Sequence, residues 1–286
     1  DKEYYSFEEV LKDLKLEENE LKRLVSAGGF LSGVAFNDVS SRAAFFRNVT
    51  GTLASTPGVA AAGVISAIPG DDGGSARRLV VDGRTGDADE VGVDAISIGP
   101  TLFDALGVPL IEGRTFTEQE AADHDANVAI INQRLASRLW PNAGVVDRRI
   151  GFRSGEAIRW LRVVGVAPDV HYQEVGNETE QSRLTVYIPY AMEGSRAMGI
   201  LVRAEGAPES LVAPVRAVLQ RSGATFAVGR LMPMRELVRL TTWQEQLYSS
   251  LMATFAFIAL LLACLGIYAL IAYSIGRRSR DVGVRL

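Results

Sequence analysis

Residues 128–142 read VAIINQRLASRLWPN, and the character of the sequence changes after Asn132. The first five residues, VAIIN, form a short uninterrupted apolar run that is typical of a buried strand. The following residues predict a helix from Gln133 to Trp140, because Pro141 cannot continue it. A strand that passes directly into a helix indicates a domain that mixes both kinds of element.

Comparable patterns continue on both sides of this stretch. Strands are predicted for VAAAGVISAIP (59–69), 79–81, 91–98, LRVVGVAPDV (161–170), LTVYIP (184–189), GILVRAE (199–205) and 225–228. Helices are predicted for 41–55, 101–106 and 209–220. Because strands outnumber helices but alternate with them, we predict an α+β body of two subdomains, in which residues 100–190 are inserted into a βαβ-like frame.

The first 28 residues differ in composition from everything that follows, which suggests a separate origin. A capping box of Ser6 with Glu9 predicts one helix, and Gly28 with Gly29 is expected to end a second. The lysines of the chain all fall in this segment, at Lys2, Lys12, Lys15 and Lys22, and the second helix has an apolar face of Leu21, Leu24 and Val25.

This helical hairpin resembles the opening helix pair of a MerR-like helix-turn-helix module. Three interpretations stay open for it: a solvated hairpin, a protein contact and a DNA-binding role. Its acids outnumber its bases, so it lacks the basic face that follows a phosphate backbone.

Composition excludes several classes of function. A formal net charge of −4 gives no general attraction to nucleic acid. The sequence contains no phosphate-binding loop, and its histidines, His124 and His171, match no zinc or calcium spacing. The glycine-rich stretch at 69–78 is better explained as a loop than as an anion cradle, and the single cysteine, Cys264, lies in an apolar run. We therefore expect no enzymatic activity, cofactor or metal.

A long uncharged run occupies the end of the chain, between Glu245 and Arg277. A helix over residues 247–275 would be roughly 43 Å long, against about 30 Å for the hydrocarbon core of a bilayer. Residues that favour the membrane interface flank the run at Trp243, Tyr248, Tyr268 and Tyr273. Positive charges follow at Arg277, Arg278, Arg280 and Arg285. By the positive-inside rule, we predict one membrane-spanning helix with a cytoplasmic C-terminus.

Pro233 is well placed to begin a helix that continues into this span. A stalk and membrane helix over 233–276 would be longer than the bilayer is thick and could transmit motion across it. One face of it carries small residues that would let a neighbouring helix approach, namely Ala256, Ala259, Ala263 and Gly266. The alternative is that alanine is merely tolerated in a membrane helix.

Successive blocks of the sequence resemble the MacB-type permeases of ABC transporters, and above all their duplicated orphan permease branch, over residues 30–286. The blocks are PGVAAAGVISAIPG (57–70), ISIGPTLFDALGVPLIEGRTFTEQE (96–120), VAIINQRLASRLWPN (128–142), VVGVAPDVHYQEV (163–175), VYIPY (186–190) and FIALLLACLGIYALIAYSIGRRSRDVGVRL (257–286). The most specific pieces are Gly-Arg-Thr-Phe at 113–116 and Tyr-Ser-x-x-x-Arg-x-Arg-Asp-x-Gly-x-Arg at 273–285.

After the helical hairpin of separate origin at 1–28, where such permeases carry a first membrane helix, the resemblance implies an extracytoplasmic core domain at 29–232. A stalk and membrane helix at 233–276 and a cytoplasmic coupling segment at 277–286 would follow. The resemblance also implies an inner-membrane location, an ABC-type ATPase as partner, and a homodimer or a pairing with a second permease half, for export or mechanotransmission. Such permeases carry further membrane helices, so we expect the chain to be a fragment. The coupling residues would be Arg277, Arg278, Arg280, Asp281, Gly283 and Arg285.

A rival interpretation is a membrane-tethered sensory or protein-binding domain that has no transport cycle. The two differ in their partners, because a transporter piece should co-purify with an ATPase and a tethered receptor should not. A membrane-bound DNA-binding regulator conflicts with the predicted topology, which puts the N-terminal hairpin outside the cytoplasm.

Overall fold

A computed structural model of the chain describes residues 24–31, 39–67, 74–83, 90–141, 143–155, 157–170, 184–193, 197–222, 226–234, 236 and 252–268. The chain divides into two compact units, Asp1–Thr241 and Thr242–Leu286, and each is described by itself.

The first unit contains strands and short helices in mixed order. The strands are β1 (Leu24–Leu31), β2 (Val59–Ile65), β3 (Ser75–Val81), β4 (Val91–Ile98), β5 (Glu112–Gly113), β6 (Val128–Asn132), β7 (Arg149–Ser154), β8 (Ala157–Ala167), β9 (Thr185–Pro189), β10 (Ala197–Ala204) and β11 (Phe226–Pro233). The helices are α1 (Val39–Ala54), α2 (Leu102–Leu106), α3 (Glu118–Ala122), α4 (Gln133–Leu139), α5 (Tyr190–Glu193) and α6 (Val212–Arg221), the last preceded by a 3₁₀ turn at Pro208–Leu211. The described part of the second unit is α7, residues 252–268.

Six of the strands close into a barrel. Around the ring the order is β4, β3, β7, β8, β6 and β9, and β9 pairs with β4 again. The β4–β9 and β6–β8 pairings are parallel, and the other pairings of the ring are antiparallel. Because closure removes free strand edges, the barrel protects itself from edge-to-edge association.

Alternate residues of the barrel strands point into its core, as the two-residue period of a strand requires. They include Leu79, Val81, Val93, Ala129, Ile131, Ile150, Leu161, Val163, Val186 and Ile188. Helix α4 adds Leu135 and Leu139 to the same core. The barrel is therefore filled by side chains and leaves no channel among them.

A second core lies between an open antiparallel sheet and the helices α1, α2 and α6. The sheet order is β11, β1, β10 and β2, and β2 meets β4 of the barrel through Ile65 and Ile98. Phe46, Val49 and Leu53 of α1 belong to this core. A Cβ on Gly63 would lie 2.7 Å from the Cα of Leu102, so the missing side chain lets α2 rest directly on β2.

Strand β9 lies between the two cores, which explains its uniform burial. All five residues from Thr185 to Pro189 are buried. Tyr187 contributes to the core beneath the helices, while Val186 and Ile188 contribute to the barrel core. A strand that is buried on both faces needs no alternation of polar residues.

The mixed α/β character of the domain is confirmed, but three sequence predictions are corrected. The second helix of the N-terminal hairpin is wrong from Leu24 onwards, because β1 pairs there with β10 and β11. The register of the β1–β11 pairing shifts between Gly28 and Gly29, so these glycines form a bulge within a strand and do not end a helix. Residues 1–23, with Ser6 and Glu9, lie outside the described residues.

The predicted insertion differs in extent. The barrel already includes β3 and β4, so it begins near Ser75 and not near residue 100. The βαβ-like frame is present: β1 and β2 both pair antiparallel with β10, so they run parallel to each other and α1 connects them. Pro233 closes β11, and helical conformation starts at Met234, one residue later than predicted. Residues 237–251 of the predicted stalk lie outside the described residues.

Candidate functional site

Helix α7 exposes large apolar side chains around its whole circumference. Met252, Phe255, Phe257, Leu260, Leu262, Leu265 and Tyr268 are each at least 60% exposed. A helix that is apolar on every side is suited to an apolar environment. Within the described ranges, none of the helices reaches the combination of length and hydropathy that a membrane crossing requires.

The predicted packing stripe lies on α7. Ala256, Ala259, Ala263 and Gly266 follow one another at intervals of three and four residues, so they share one face of the helix. All are exposed, and a Cβ built on Gly266 would meet no described atom within 4 Å. The stripe is thus accessible to a neighbouring helix. The predicted coupling residues, Arg277, Arg278, Arg280, Asp281, Gly283 and Arg285, lie outside the described residues.

The Gly-Arg-Thr-Phe motif forms a clasp on the outside of the barrel. Gly113 has φ +79°, and a Cβ there would lie 2.7 Å from the Cα of Gly165, so the chain turns tightly against β8. Arg114 follows and donates two hydrogen bonds of 2.7 Å to the carboxylate of Glu120. Glu120 and Thr117 complete a capping box at the start of α3. The motif therefore fixes a loop onto the barrel, and we call this arrangement the Arg114–Glu120 clasp.

Acid should weaken the clasp. The hydrogen bonds from Arg114 lower the pKa of Glu120 from 4.5 to about 2. The ionised carboxylate thus stabilises the folded domain above pH 4.5, and this contribution is lost as the pH falls towards 2. Glu120→Gln should lower the free energy of unfolding by about 1 kcal/mol at neutral pH and remove this part of the acid dependence.

Urea unfolding of both proteins at several pH values measures the effect. Gln119→Ala is the matched control, because its exposed side chain lies outside the clasp and should change little. An acid dependence that is identical in the wild type and in Glu120→Gln would contradict the assignment.

A buried polar pair joins four segments at one end of the barrel. The side chain of Asn132 accepts the backbone N–H groups of Leu135 and Thr185, each at 3.1 Å. Its amide nitrogen donates to Asp169 at 2.9 Å, and the same carboxylate oxygen accepts the N–H of Arg134 at 2.9 Å. This Asn132–Asp169 pair ties β6 and α4 to the segment after β8 and to the start of β9.

A polar cleft of about 610 Å³ opens beside α3 and the loop that leads into β6. Its carboxylates come from Glu120, Asp123 and Asp125, and Arg162 of β8 lies at its edge. We call it the acidic cleft. No group of three or more His, Cys, Asp or Glu among the described residues could hold a metal ion. The Nδ1 atom of His124 instead lies 3.1 Å from the carbonyl oxygen of Ala191, within hydrogen-bonding distance.

The glycine-rich stretch predicted as a loop reaches into a strand. Residues 75–78 belong to β3, and the described part of the stretch therefore does not open a helix that could bind an anion. Residues 68–73 and His171 lie outside the described residues.

The fold and its motifs match a known family. The family described as MacB-like periplasmic core domain covers residues 24–221, from β1 to the end of α6. The chain belongs to this MacB-like family. The family assignment made from the sequence is therefore confirmed, and the core domain begins with β1 and not after Gly28.

Curated relatives and one solved structure agree with the family. The macrolide export ATP-binding/permease protein MacB of Mannheimia succiniciproducens is 26% identical over 199 residues, which cover 66% of this chain and 29% of the relative. The protein of the same name from Sodalis glossinidius is 29% identical over 204 residues, which cover 68% and 30%. The chain thus spans about 30% of the length of the curated relatives it matches.

The crystal structure of the periplasmic region of MacB from Actinobacillus actinomycetemcomitans shares the fold. It matches with a TM-score of 0.50 at 16% sequence identity, over 79% of this chain and 97% of that one. The described MacB-like core of this chain thus has the mixed α/β fold of that region.

Sequence reasoning missed the functional candidates on the barrel. Asn132 was assigned only to the end of a strand, and its partner Asp169 is 37 residues away. The arginines of β7 and β8 were not recognised as a group, although the sequence crowds five of them into residues 148–162. That local excess of positive charge in an acidic chain was the available signal.

Proposed function

We propose that the chain is part of an ABC transporter permease in the inner membrane. In this proposal residues 24–233 lie in the periplasm, α7 belongs to a membrane helix, and the C-terminus is cytoplasmic. The family match over residues 24–221 carries the proposal. The apolar circumference of α7 and the arginines that begin at Arg277 support it.

The energy for its cycle would come from an ABC-type ATPase. The sequence has no phosphate-binding loop of its own, so ATP would be hydrolysed by a partner. Residues 277–285 would contact that ATPase, while the membrane lipid would surround α7. The stripe of small residues would pack against a second copy or a second permease half.

The core domain would act as the extracytoplasmic end of a mechanical linkage. Its two filled cores make it a rigid body, because close-packed interiors transmit displacement instead of absorbing it. The curated relatives are called macrolide export proteins. From these names we transfer to this chain only a role in export or mechanotransmission, and we propose no substrate for it.

The topology gives a direct prediction for single-cysteine variants. In a Cys264→Ser background, Ser154→Cys lies at the exposed turn between β7 and β8, and Ser279→Cys lies among the terminal arginines. A membrane-impermeant maleimide applied to spheroplasts should label Ser154→Cys at once and Ser279→Cys only after permeabilisation.

Quantified labelling of the full-length protein before and after permeabilisation is the measurement. The Cys264→Ser protein without an added cysteine is the control. Equal labelling of the two positions in intact spheroplasts, or a reversed order, would overturn the proposed topology.

A further inference from the structure

The positive charge of the barrel is concentrated on one wall. Residues 148–162, which cover β7 and the first half of β8, contain five arginines and one glutamate in a chain of net charge −4. On the wall formed by β3, β7 and β8, the side chains of Arg78, Arg149 and Arg162 are 78%, 54% and 52% exposed. We call this surface the basic wall.

Three carboxylates lie against four arginines of the basic wall, so one positive charge is left in excess. Arg149 lies 3.6 Å from Asp82, and Arg162 lies 3.1 Å from Asp147, but both carboxylates are more than half exposed. Such solvent-exposed pairs contribute little free energy and leave their arginines available. Arg78 shares its acidic partner, Glu90, with Arg153, so two guanidinium groups meet one carboxylate.

An apolar centre lies among these arginines. A Cβ on Gly151 would lie 3.0 Å from Val80 and 3.1 Å from Trp160, so these side chains close over the glycine. The guanidinium of Arg149 stands 5.3 Å from the centre of the Trp160 ring. Tryptophan and arginine together are the residues most enriched where protein interfaces hold most of their binding energy. Strand β9, on another side of the barrel, offers a partner no such surface, because all five of its residues are buried.

The basic wall and the acidic cleft share an edge. Arg162 lines the cleft, and it is also the direct cross-strand partner of Arg149 on the wall. Opposite charges therefore lie side by side on one surface. Under a two-fold axis, each patch of one copy can face the other patch of its partner, which is the condition for a self-complementary interface.

We propose that the basic wall of one copy binds the acidic cleft of a second copy of this chain, so that two equivalent contacts hold the periplasmic domains together. This deepens the proposed function, because it assigns a surface to the pairing of permease copies. The partly exposed ring of Trp160 would be covered in the paired state.

A charge swap tests the pairing. Arg78→Glu with Arg149→Glu reverses the wall, and Gln119→Arg with Asp125→Arg reverses the cleft. Each reversal alone should weaken self-association of the full-length protein in detergent by about tenfold or more, since both contacts of the dimer become repulsive. All four substitutions in one chain should restore the dissociation constant to within about threefold of the wild type, since each contact is again between opposite charges.

Energy transfer between donor-labelled and acceptor-labelled copies provides the dissociation constant. Arg216→Glu with Arg221→Glu, two exposed reversals on α6, changes the net charge as much as the wall reversal does and should leave association unchanged. Arg78→Gln with Arg149→Gln removes the charge without reversing it and should have an intermediate effect. Thermal unfolding of every variant separates lost association from lost folding.

Unchanged association of the wall reversal, or failure of the combined variant to recover, would overturn the inference. These outcomes differ from failure of the proposed function. If the chain associates through this surface but has the opposite membrane topology, the permease proposal is refuted and the interface stands. If the chain has the proposed topology but does not associate through this surface, only the interface is refuted.

Discussion

Asn132→Leu should lower the free energy of unfolding by about 3 kcal/mol or more, which is the largest stability loss that we predict for a single substitution. Leucine has a similar volume but cannot accept the N–H groups of Leu135 and Thr185. The donor to Asp169 is lost as well. Each buried polar group left without a partner costs about 1–3 kcal/mol, and Asn132 is only 1% exposed, so water cannot replace it in the folded state.

Urea unfolding of the detergent-solubilised chain, followed by tryptophan fluorescence, measures this loss. Trp140 belongs to the barrel core and reports its unfolding. Asn127→Leu makes the same chemical change at an exposed position and should alter stability by less than about 0.5 kcal/mol. If both variants had the same stability, the Asn132–Asp169 pair would not hold this end of the barrel.

A second large effect is expected at the far end of the chain. Reversal of Arg280 and Arg285 to Glu in the complete permease should abolish stimulation of the partner ATPase, because the proposed contact would turn from attraction to repulsion. Folding of the periplasmic domain should be unaffected. We expect stimulated ATP hydrolysis to fall by about tenfold or more, which is the effect of losing roughly 1.4 kcal/mol of coupling.

The measurement is ATP hydrolysis by the reconstituted complex, with and without the permease variant. Arg277→Glu with Arg278→Glu is an informative comparison, since these residues follow the uncharged run most closely and their reversal should affect membrane insertion as well as the contact with the ATPase. Full stimulation by the Arg280 and Arg285 variant would contradict the coupling role.

The local elements of the fold could be predicted from the sequence, whereas their long-range pairing could not. The strand and helix of VAIINQRLASRLWPN are confirmed as β6 and α4, because an apolar run and a proline act on adjacent residues. Closure of the barrel depends on the parallel pairing of β4 with β9, two strands that are far apart in the sequence, at Val91–Ile98 and Thr185–Pro189. No periodicity within either strand encodes that partner.

The error at β1 has a similar origin. Leu24 and Val25 follow a helix-like apolar spacing, and Gly28 with Gly29 is also a common way to end a helix. In the domain, β10 and β11 supply hydrogen bonds on both sides of this segment, and tertiary pairing overrides its local preference. The cluster of arginines at 148–162 is visible in the sequence. Its position beside Arg78 and the acidic cleft could not be predicted, because β3, α3, β7 and β8 are brought together only by barrel closure.

The central claim is that the periplasmic domain is mechanically linked to a cytoplasmic ATPase, and one distance measurement tests it most directly. Spin labels would be placed at Ser154→Cys in a Cys264→Ser background of the complete permease, reconstituted in lipid with the ABC-type ATPase that co-purifies with it. The distance between the labels of two copies would then be measured by pulsed electron paramagnetic resonance, without nucleotide and with bound ATP. The account predicts a distance distribution that shifts when ATP binds on the opposite side of the membrane. An identical distribution in both states, or the absence of any co-purifying ATPase, would contradict it and favour a tethered domain without a transport cycle.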